Sequence, residues 1–411
     1  MRRTPAIVVG AAAALALGLT ISPAQAHGGH KPPKPPTPTT VADGLFTALS
    51  SAVAPDGTAY VTQNFPGTLT KIPKKGARSD IYQSVPAAGA ESPPEVGGVS
   101  VAGRRVLFAE TGFSGDPANP GGFTGVKAID QGGNVTTLAD TGAYEIANNP
   151  DGDVVYGARG ISDECAAQWP PPPEDPSQPG PPPATYTGDV NPHPYATLPG
   201  PFGTTFVADA GANSIQRISR SGQITTLALM PGQPVLITAE LAGAFGIPEC
   251  AVGLKYYFDP VPTDVEWGPD GWLYVSLLPG GPEDPSLGAR GAVYKVNPYT
   301  GRTKKVARGF LGATNLAVTP KGDIYVTELF GNKISVLKRG SSTPKTFAAL
   351  PWATSVEYAK GALYATSAPE LEALFSGGQP APESTLVKYK LAKKHKAHHH
   401  HRKHHKKGKR R

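Results

Sequence analysis

The chain has 411 residues, of which 39% are hydrophobic, with 49 glycines and 45 prolines; many tight turns, not long helices, account for such a composition. Its net charge of +7 is local, because ten Lys/Arg fall in residues 393–411 and two more are Arg2 and Arg3, leaving 27 basic against 32 acidic residues elsewhere. A mildly acidic body argues against nucleic-acid binding, which needs a basic surface to displace counterions, and no internal apolar run reaches the ~20 residues of a membrane span.

Residues 1–26 read as a secretory signal, with Arg2 and Arg3 as the basic n-region, residues 7–21 as the apolar core and Ala24-Gln25-Ala26 as the cleavage site. The expected mature protein is extracellular and begins at His27. Residues 27–40 form a Pro-rich linker. Val41-Ala42-Asp43-Gly44-Leu45 then resembles Val306-Ala307-Arg308-Gly309-Phe310, which ends one repeat and leads into the next. It reads as an outermost fourth strand separated from its own blade.

A hairpin unit recurs along the rest of the chain. Its clearest copy runs from Pro262 to Val275, where Gly268-Pro269-Asp270-Gly271 joins two strand-like runs. Pro269 presets φ, Asp270 bonds its own backbone and Gly271 takes a positive φ freely. Similar units occupy residues 49–61, 314–326 and 354–365, with weaker copies at 97–109 and 195–208. Six such repeats at intervals of about forty to fifty residues predict an all-β, six-bladed β-propeller over residues 41–391, while an Asn-Pro-Asp-Gly turn within residues 144–160 leaves a seventh, degenerate blade open. The N-terminal strand is expected to complete the last blade, which removes the open sheet edge.

Two insertions interrupt the repeats. Residues 161–190 contain nine prolines and read as an extended excursion without a core. Residues 230–260 hold a short helix near Thr238–Phe245. Each insertion carries one of the only two cysteines, Cys165 and Cys250, and in an exported chain a lone pair reads as a disulfide. The tail, residues 392–411, has almost nothing apolar and is predicted to be disordered. It is suited to a cell-wall polyanion, while His398, His399, His400, His401, His404 and His405 offer imidazoles to a transition metal.

In a propeller, the starts of the first strands and the ends of the second strands share one mouth. The first set is Ser50, Gly98, Tyr195, Asp264, Asn315 and Ser355, and the second is Gln63, Glu110, Asp209, Leu277, Glu328 and Ser367. Oxygen donors of this kind suit calcium, with Asp264, Asn315, Glu110 and Glu328 as the candidate ligands and Glu145 as a further carboxylate. No other cofactor is indicated. The opposing expectation is that these acids cap loop amides, as strand ends in any propeller require. His193 is the only histidine between residues 41 and 391, and no nucleophile elbow, phosphate loop or zinc spacing occurs. That scarcity argues against acid–base catalysis by mouth histidines.

Pro262-Thr263-Asp264-Val265 and Thr314-Asn315-Leu316-Ala317 resemble the metal-ligating strand starts of the gluconolactonase family. That resemblance implies a calcium-dependent lactonase, although here the Asp-bearing repeat precedes the Asn-bearing one and no glutamate opens the first. Across about residues 41–391 the chain also resembles the ScyD/ScyE family of secreted, NHL-like bacterial propellers. The resemblance lies in residues 41–45 with 53–61, Tyr144-Glu145-Ile146-Ala147-Asn148-Asn149-Pro150-Asp151, residues 206–214, and residues 261–265 with 278–286. It implies a monomeric scaffold that binds a small molecule or protein at the channel mouth, without established catalysis; a quinone-dependent sugar dehydrogenase is a further alternative.

Overall fold

A computed structural model of the chain describes residues 36–87, 92–112, 122–171, 181–282 and 284–391. The expected signal segment, most of the linker and the His/Lys/Arg-rich tail lie outside these residues. The described chain is dominated by strands, arranged as seven four-stranded antiparallel sheets, the construction of a β-propeller.

Five of the sheets are simple meanders in chain order, and a sixth is completed by the first strand of the chain. Sheet one holds Ala48–Val53, Ala59–Gln63, Thr68–Ile72 and Ser79–Gln83, and sheet two Glu95–Ala102, Arg105–Thr111, Gly125–Ile129 and Val135–Asp140. Sheet three holds Pro194–Pro199, Thr205–Asp209, Ser214–Ile218 and Ile224–Leu229. Sheet four follows with Pro262–Trp267, Leu273–Leu277, Gly291–Val296 and Thr303–Phe310, and sheet five with Ala313–Val318, Ile324–Glu328, Lys333–Leu337 and Lys345–Ala349. Sheet six takes Ala353–Ala359, Ala362–Ser367 and Ser384–Lys390 from the end of the chain and Thr39–Leu45 from its beginning. That first strand pairs antiparallel with the last, from Thr39 opposite Lys388 to Leu45 opposite Ser384.

The turn chemistry accounts for the hairpins. In sheet four Gly268 N–H donates to Trp272 O and Gly271 N–H to Gly268 O, with Gly271 at φ +74°. The same exchange closes Ala54-Pro55-Asp56-Gly57 and Thr319-Pro320-Lys321-Gly322. Alternation along the strands sends one face into each inter-sheet layer. Leu273, Val275 and Leu277 thereby pack with Phe206, Ala208 and Ile215 of sheet three.

The first strands of these six sheets adjoin in succession, one to two, two to three, three to four, four to five, five to six, and six back to one. The seventh sheet stands apart from that succession. It is ordered Thr185–Thr187, Val155–Arg159, Lys255–Phe258, Gln233–Leu236, so both insertions build it together. The described residues of 161–190 are therefore not a coreless excursion. Trp169 is buried, donates its indole N–H to Pro182 O at 2.7 Å and stacks on Tyr256 at 6.4 Å. Cys165, Ile237, Ala242, Ala251 and Phe258 complete that core, and the Cys165–Cys250 disulfide crosses it. The proline pattern hid this packing because Trp169 and Tyr186 flank prolines that form its wall.

A polar junction ties the seventh sheet to sheet three. Asn213 Nδ2 donates to Asp151 Oδ2 at 2.9 Å and to Asp259 Oδ1 at 3.1 Å, while Tyr156 OH donates to Asp151 and Tyr186 OH to Asp259. Because the insertion core is small, the disulfide is its main covalent restraint. Replacing Cys165 and Cys250 by serine is expected to destabilise this sheet by about 2–5 kcal/mol. Hydrogen exchange should show faster exchange of the amides in Val155–Arg159 and Lys255–Phe258, with sheets five and six unchanged.

Candidate functional site

Every first strand carries a β-bulge close to its start, between Ala48 and Ser50, Val96 and Val99, Pro194 and Ala196, Pro262 and Asp264, Ala313 and Asn315, and Ala353 and Val356. A bulge re-aims the side chains beside it. Here it turns hydroxyl, amide and carboxyl groups sideways, onto the next sheet. Thr263 Oγ1 donates to Ala313 O at 3.3 Å, Thr314 Oγ1 to Thr354 O at 2.9 Å, and Thr354 Oγ1 to Ala48 O at 2.7 Å. In the other direction, Ser50 Oγ accepts from Val99 N–H at 3.2 Å, Asp264 Oδ2 from Leu316 N–H at 2.9 Å, and Asn315 Oδ1 from Val356 N–H at 2.7 Å. Ser100 and Thr197 bond at 2.8 Å, and Trp267 Nε1 donates to Pro199 O at 2.9 Å. All six adjoining pairs of first strands are thus stitched by side chains, and Asp264 and Asn315 are two of the stitches.

The second-strand ends hold loops. Gln63 Oε1 accepts from Phe46 N–H at 2.8 Å, Asp209 Oδ1 from His193 N–H at 3.0 Å, and Glu328 Oε2 from Leu311 N–H at 2.8 Å. Each also meets a side chain on its own third strand: Thr70, Gln216 and Ser335 respectively. Glu110, 3% exposed, receives Lys127 Nζ at 2.6 Å and the hydroxyl of Tyr82. Burial and Glu110 together hold the Tyr82 phenol well above its usual range. Glu145 sits on a separate helix, Thr141–Asn148, with Oε1 accepting from Asn191 N–H at 2.6 Å. His193 pairs with Glu95 at 3.5 Å. Among the described residues no group of three or more His, Cys, Asp or Glu is arranged to hold a metal ion. The donors expected for calcium, Asp264, Asn315, Glu110 and Glu328, are each engaged by an amide, a hydroxyl or an ammonium.

The structure adds acids that the strand-start pattern did not pick out. Asp264 and Glu266 lie two residues apart on the first strand of sheet four, and Glu357 occupies the level of Glu266 on the first strand of sheet six. Burial lifts Asp264 to about 7. Glu357 rises to about 8 through burial and the charge of Asp264, and Glu266 is held well above the usual carboxylate range by burial and the charges of Glu357 and Asp264. Sheet five separates their sheets, so these carboxyls interact across the space enclosed by the first strands. The third position down each first strand was the available signal: it reads Ala52, Ser100, Leu198, Glu266, Ala317, Glu357.

Two adjoining cavities open beside sheet four. One, of about 100 Å³, is lined by Val261, Leu278, Arg290, Gly312 and Phe330. The other, of about 240 Å³, is walled by Val235, Ile237, Leu241, Phe245, Tyr256 and Phe258 of the insertion sheet and its helix. Gly281 and Pro282 line both. Arg290 stands between them: its guanidinium donates to Gly280 O and Pro282 O and lies 4.9 Å from the Phe258 ring centroid. Burial lowers it to about 10. The wall of the larger cavity is apolar; the smaller one offers a cation and backbone carbonyls.

No family model matches the chain, and no curated protein matches it. Solved structures do. A putative oxidoreductase (glucose dehydrogenase) from Thermus thermophilus superposes with a TM-score of 0.50 at 16% identity, covering 86% of this chain and 99% of that one. A gluconolactonase from Xanthomonas campestris gives 0.49 at 11% identity over 86% and 94% of the two chains. Virginiamycin B lyase from Staphylococcus aureus gives 0.41 at 14% over 80% of each. At such identities the likeness is one of fold, and it places the chain among propellers.

The buried charges set two expected outcomes. Lys127→Met leaves Glu110 buried without its cation and is expected to cost about 3–5 kcal/mol in chemical denaturation, most of it recovered in Glu110→Gln/Lys127→Met. The channel carboxyls work in the opposite sense. Their folded-state pKa values lie above those of an unfolded chain, so the folded state binds more protons and stability falls as pH rises from about 4, the unfolded value, to about 8. Glu357→Gln should flatten that decline in urea denaturation measured at intervals from pH 5 to 8.

Proposed function

We propose that the chain is an exported, six-bladed propeller of the ScyD/ScyE type. It binds a small, mainly apolar molecule where the insertion sheet meets the mouth, and does so without turnover. The observation that carries this reading is the pair of contiguous cavities beside sheet four, one apolar and one presenting Arg290. An apolar wall with a few convergent polar groups is the usual make-up of a ligand site. The insertion helix and sheet supply the apolar surface, and the disulfide ties the two insertions together within the same core. Export is supported by that disulfide and by the signal-like residues 1–26. Among the described residues no helix is long and apolar enough to cross a membrane.

A second reading rests on Asp264, Glu266 and Glu357. Carboxyls that keep a proton near neutrality are suited to general-acid chemistry, and hydrolysis of a lactone or ester would use it. The dehydrogenase alternative is weaker, since His193 faces Glu95 and Arg290 is held by backbone carbonyls.

The hydrophobic fluorophore anilinonaphthalene sulfonate tests the first reading. It should bind the native protein at one site, and Leu241→Trp, which fills the apolar cavity, should weaken binding at least about tenfold with the melting temperature kept. Unchanged affinity in that variant rejects the site. A lactone and aryl-ester screen, with and without calcium, separates the readings: turnover lost in Glu357→Gln but kept in Leu241→Trp transfers the function to the channel.

A further inference from the structure

Sheets two and five each bury a carboxylate at the end of the second strand, and each supplies it with an ammonium. Lys127 Nζ is 2.6 Å from Glu110, and Lys333 Nζ is 3.5 Å from Glu328. Sheet three buries Asp209 at the same level, but in place of lysine its third strand has Ser214 and Gln216. Ser214 is the cross-strand partner of Asp209, as Lys333 is of Glu328. Gln216, two residues on, stands where Lys127 stands in sheet two. Among the described residues no lysine or arginine bonds to Asp209, and the nearby His193 ring is paired with Glu95.

What does approach is a second carboxylate. Glu145 accepts from Asn191 N–H at 2.6 Å, and Asp209 accepts from His193 N–H at 3.0 Å. These amides are two residues apart, hence no more than about 7 Å from each other, so both acids hold the same short segment, residues 191–193. Glu145, Asp209, Ser214 and Gln216 are all fully buried. Three of their oxygens, Glu145 Oε2, Ser214 Oγ and Gln216 Oε1, have no hydrogen-bond partner. The Gln216 amide is held beside Asp209 by its own Nε2, which donates to Asp209 Oδ2 at 3.1 Å, so its unpartnered oxygen lies at the same spot. Asp209 itself is further held by Ala212 N–H at 3.2 Å.

Two buried carboxylates and two neutral oxygen donors, gathered where the sibling sheets put an ammonium, describe a place for a positive charge. Hard cations are bound by carboxylate, amide and hydroxyl oxygens without nitrogen or sulfur. We propose that Glu145, Ser214 and Gln216, through their unpartnered oxygens and beside the charge of Asp209, bind a calcium-class divalent cation that joins the Thr141–Asn148 helix to sheet three. The site is separate from the cavities beside sheet four and from the channel acids, and its role is to lock the start of the insertion region onto the ring.

The test uses the full secreted chain stripped with EDTA, then titrated with calcium and read by thermal melting and calorimetry. The tail histidines do not interfere, because calcium is a poor partner for imidazole. Saturating calcium should raise the melting temperature by at least about 3 °C. Glu145→Gln should abolish the shift, and the milder Ser214→Ala should weaken calcium binding about tenfold, while Asp264→Asn should retain both shift and affinity. The proposal is overturned if the stripped native protein ignores calcium, as it would were Glu145 simply to hold a proton. It is equally overturned if Asp264→Asn, and not Glu145→Gln or Ser214→Ala, removes the response.

Discussion

The structure depends on one recurring hydrogen-bond device: a bulged first strand whose side chains reach the backbone of the adjoining first strand. Six strands pointing at a shared channel have little apolar surface to bury against one another, so packing alone would leave their junctions weak. A side-chain bond to a neighbouring backbone group contributes about 0.5–1.5 kcal/mol, and one from a carboxylate more. Repeated at each junction, these bonds bring the sheets to a defined angle and depth. Thr263-Asp264, Thr314-Asn315 and Thr354-Ser355 are three copies of the device, each giving a hydroxyl to a carbonyl of the next sheet. In the first two, the following residue also takes an amide proton.

This explains why the motif that looked most like a metal site is structural in geometry. A strand-start acid beside a tight hairpin is needed by a propeller whether or not it catalyses anything, because the bulge frees an amide on the next strand that must be satisfied. Glu110 and Glu328 follow the same logic one strand out, each capping its surroundings and neutralised by a lysine. Residue type alone does not separate a ligand from a cap. The separation lies in whether the carboxylate's oxygens are already engaged, and that is a property of neighbours distant in sequence.

Much of the scaffold was legible. The turns at Pro55-Asp56-Gly57 and Pro269-Asp270-Gly271, the likeness of residues 41–45 to 306–310 and the lone cysteine pair all carry local chemistry that survives without coordinates. The insertion sheet was legible only in the turn at Asn149-Pro150-Asp151-Gly152 ahead of Val155–Arg159, for a physical reason. Its strands are three to five residues long and come from segments far apart in the chain, so no window shows their period. Trp169 and Tyr186 are the residues that bury it, and both sit among prolines that suggest an open coil. Glu266 and Glu357 escaped for a different reason: they are ordinary in their own strands and become notable only when sheets four and six face one another.

Those channel acids and the Glu145–Asp209 pair oppose the principle that shapes the rest of the molecule. Elsewhere each buried charge is matched by an opposite charge, a hydroxyl or a main-chain amide, and the chain gains order from the match. At these places, as where Asp151 and Asp259 share Asn213, like charges are brought together out of water, at a cost the fold must offset by its other interactions. A propeller can carry that cost, because the ring is held at many equivalent junctions and does not rely on any single one. The strained positions also differ in kind. Around Asp264 the acids come from the first strands of two different sheets; around Glu145 the oxygens are fully buried, and a proton or a partner bound within the fold must satisfy them.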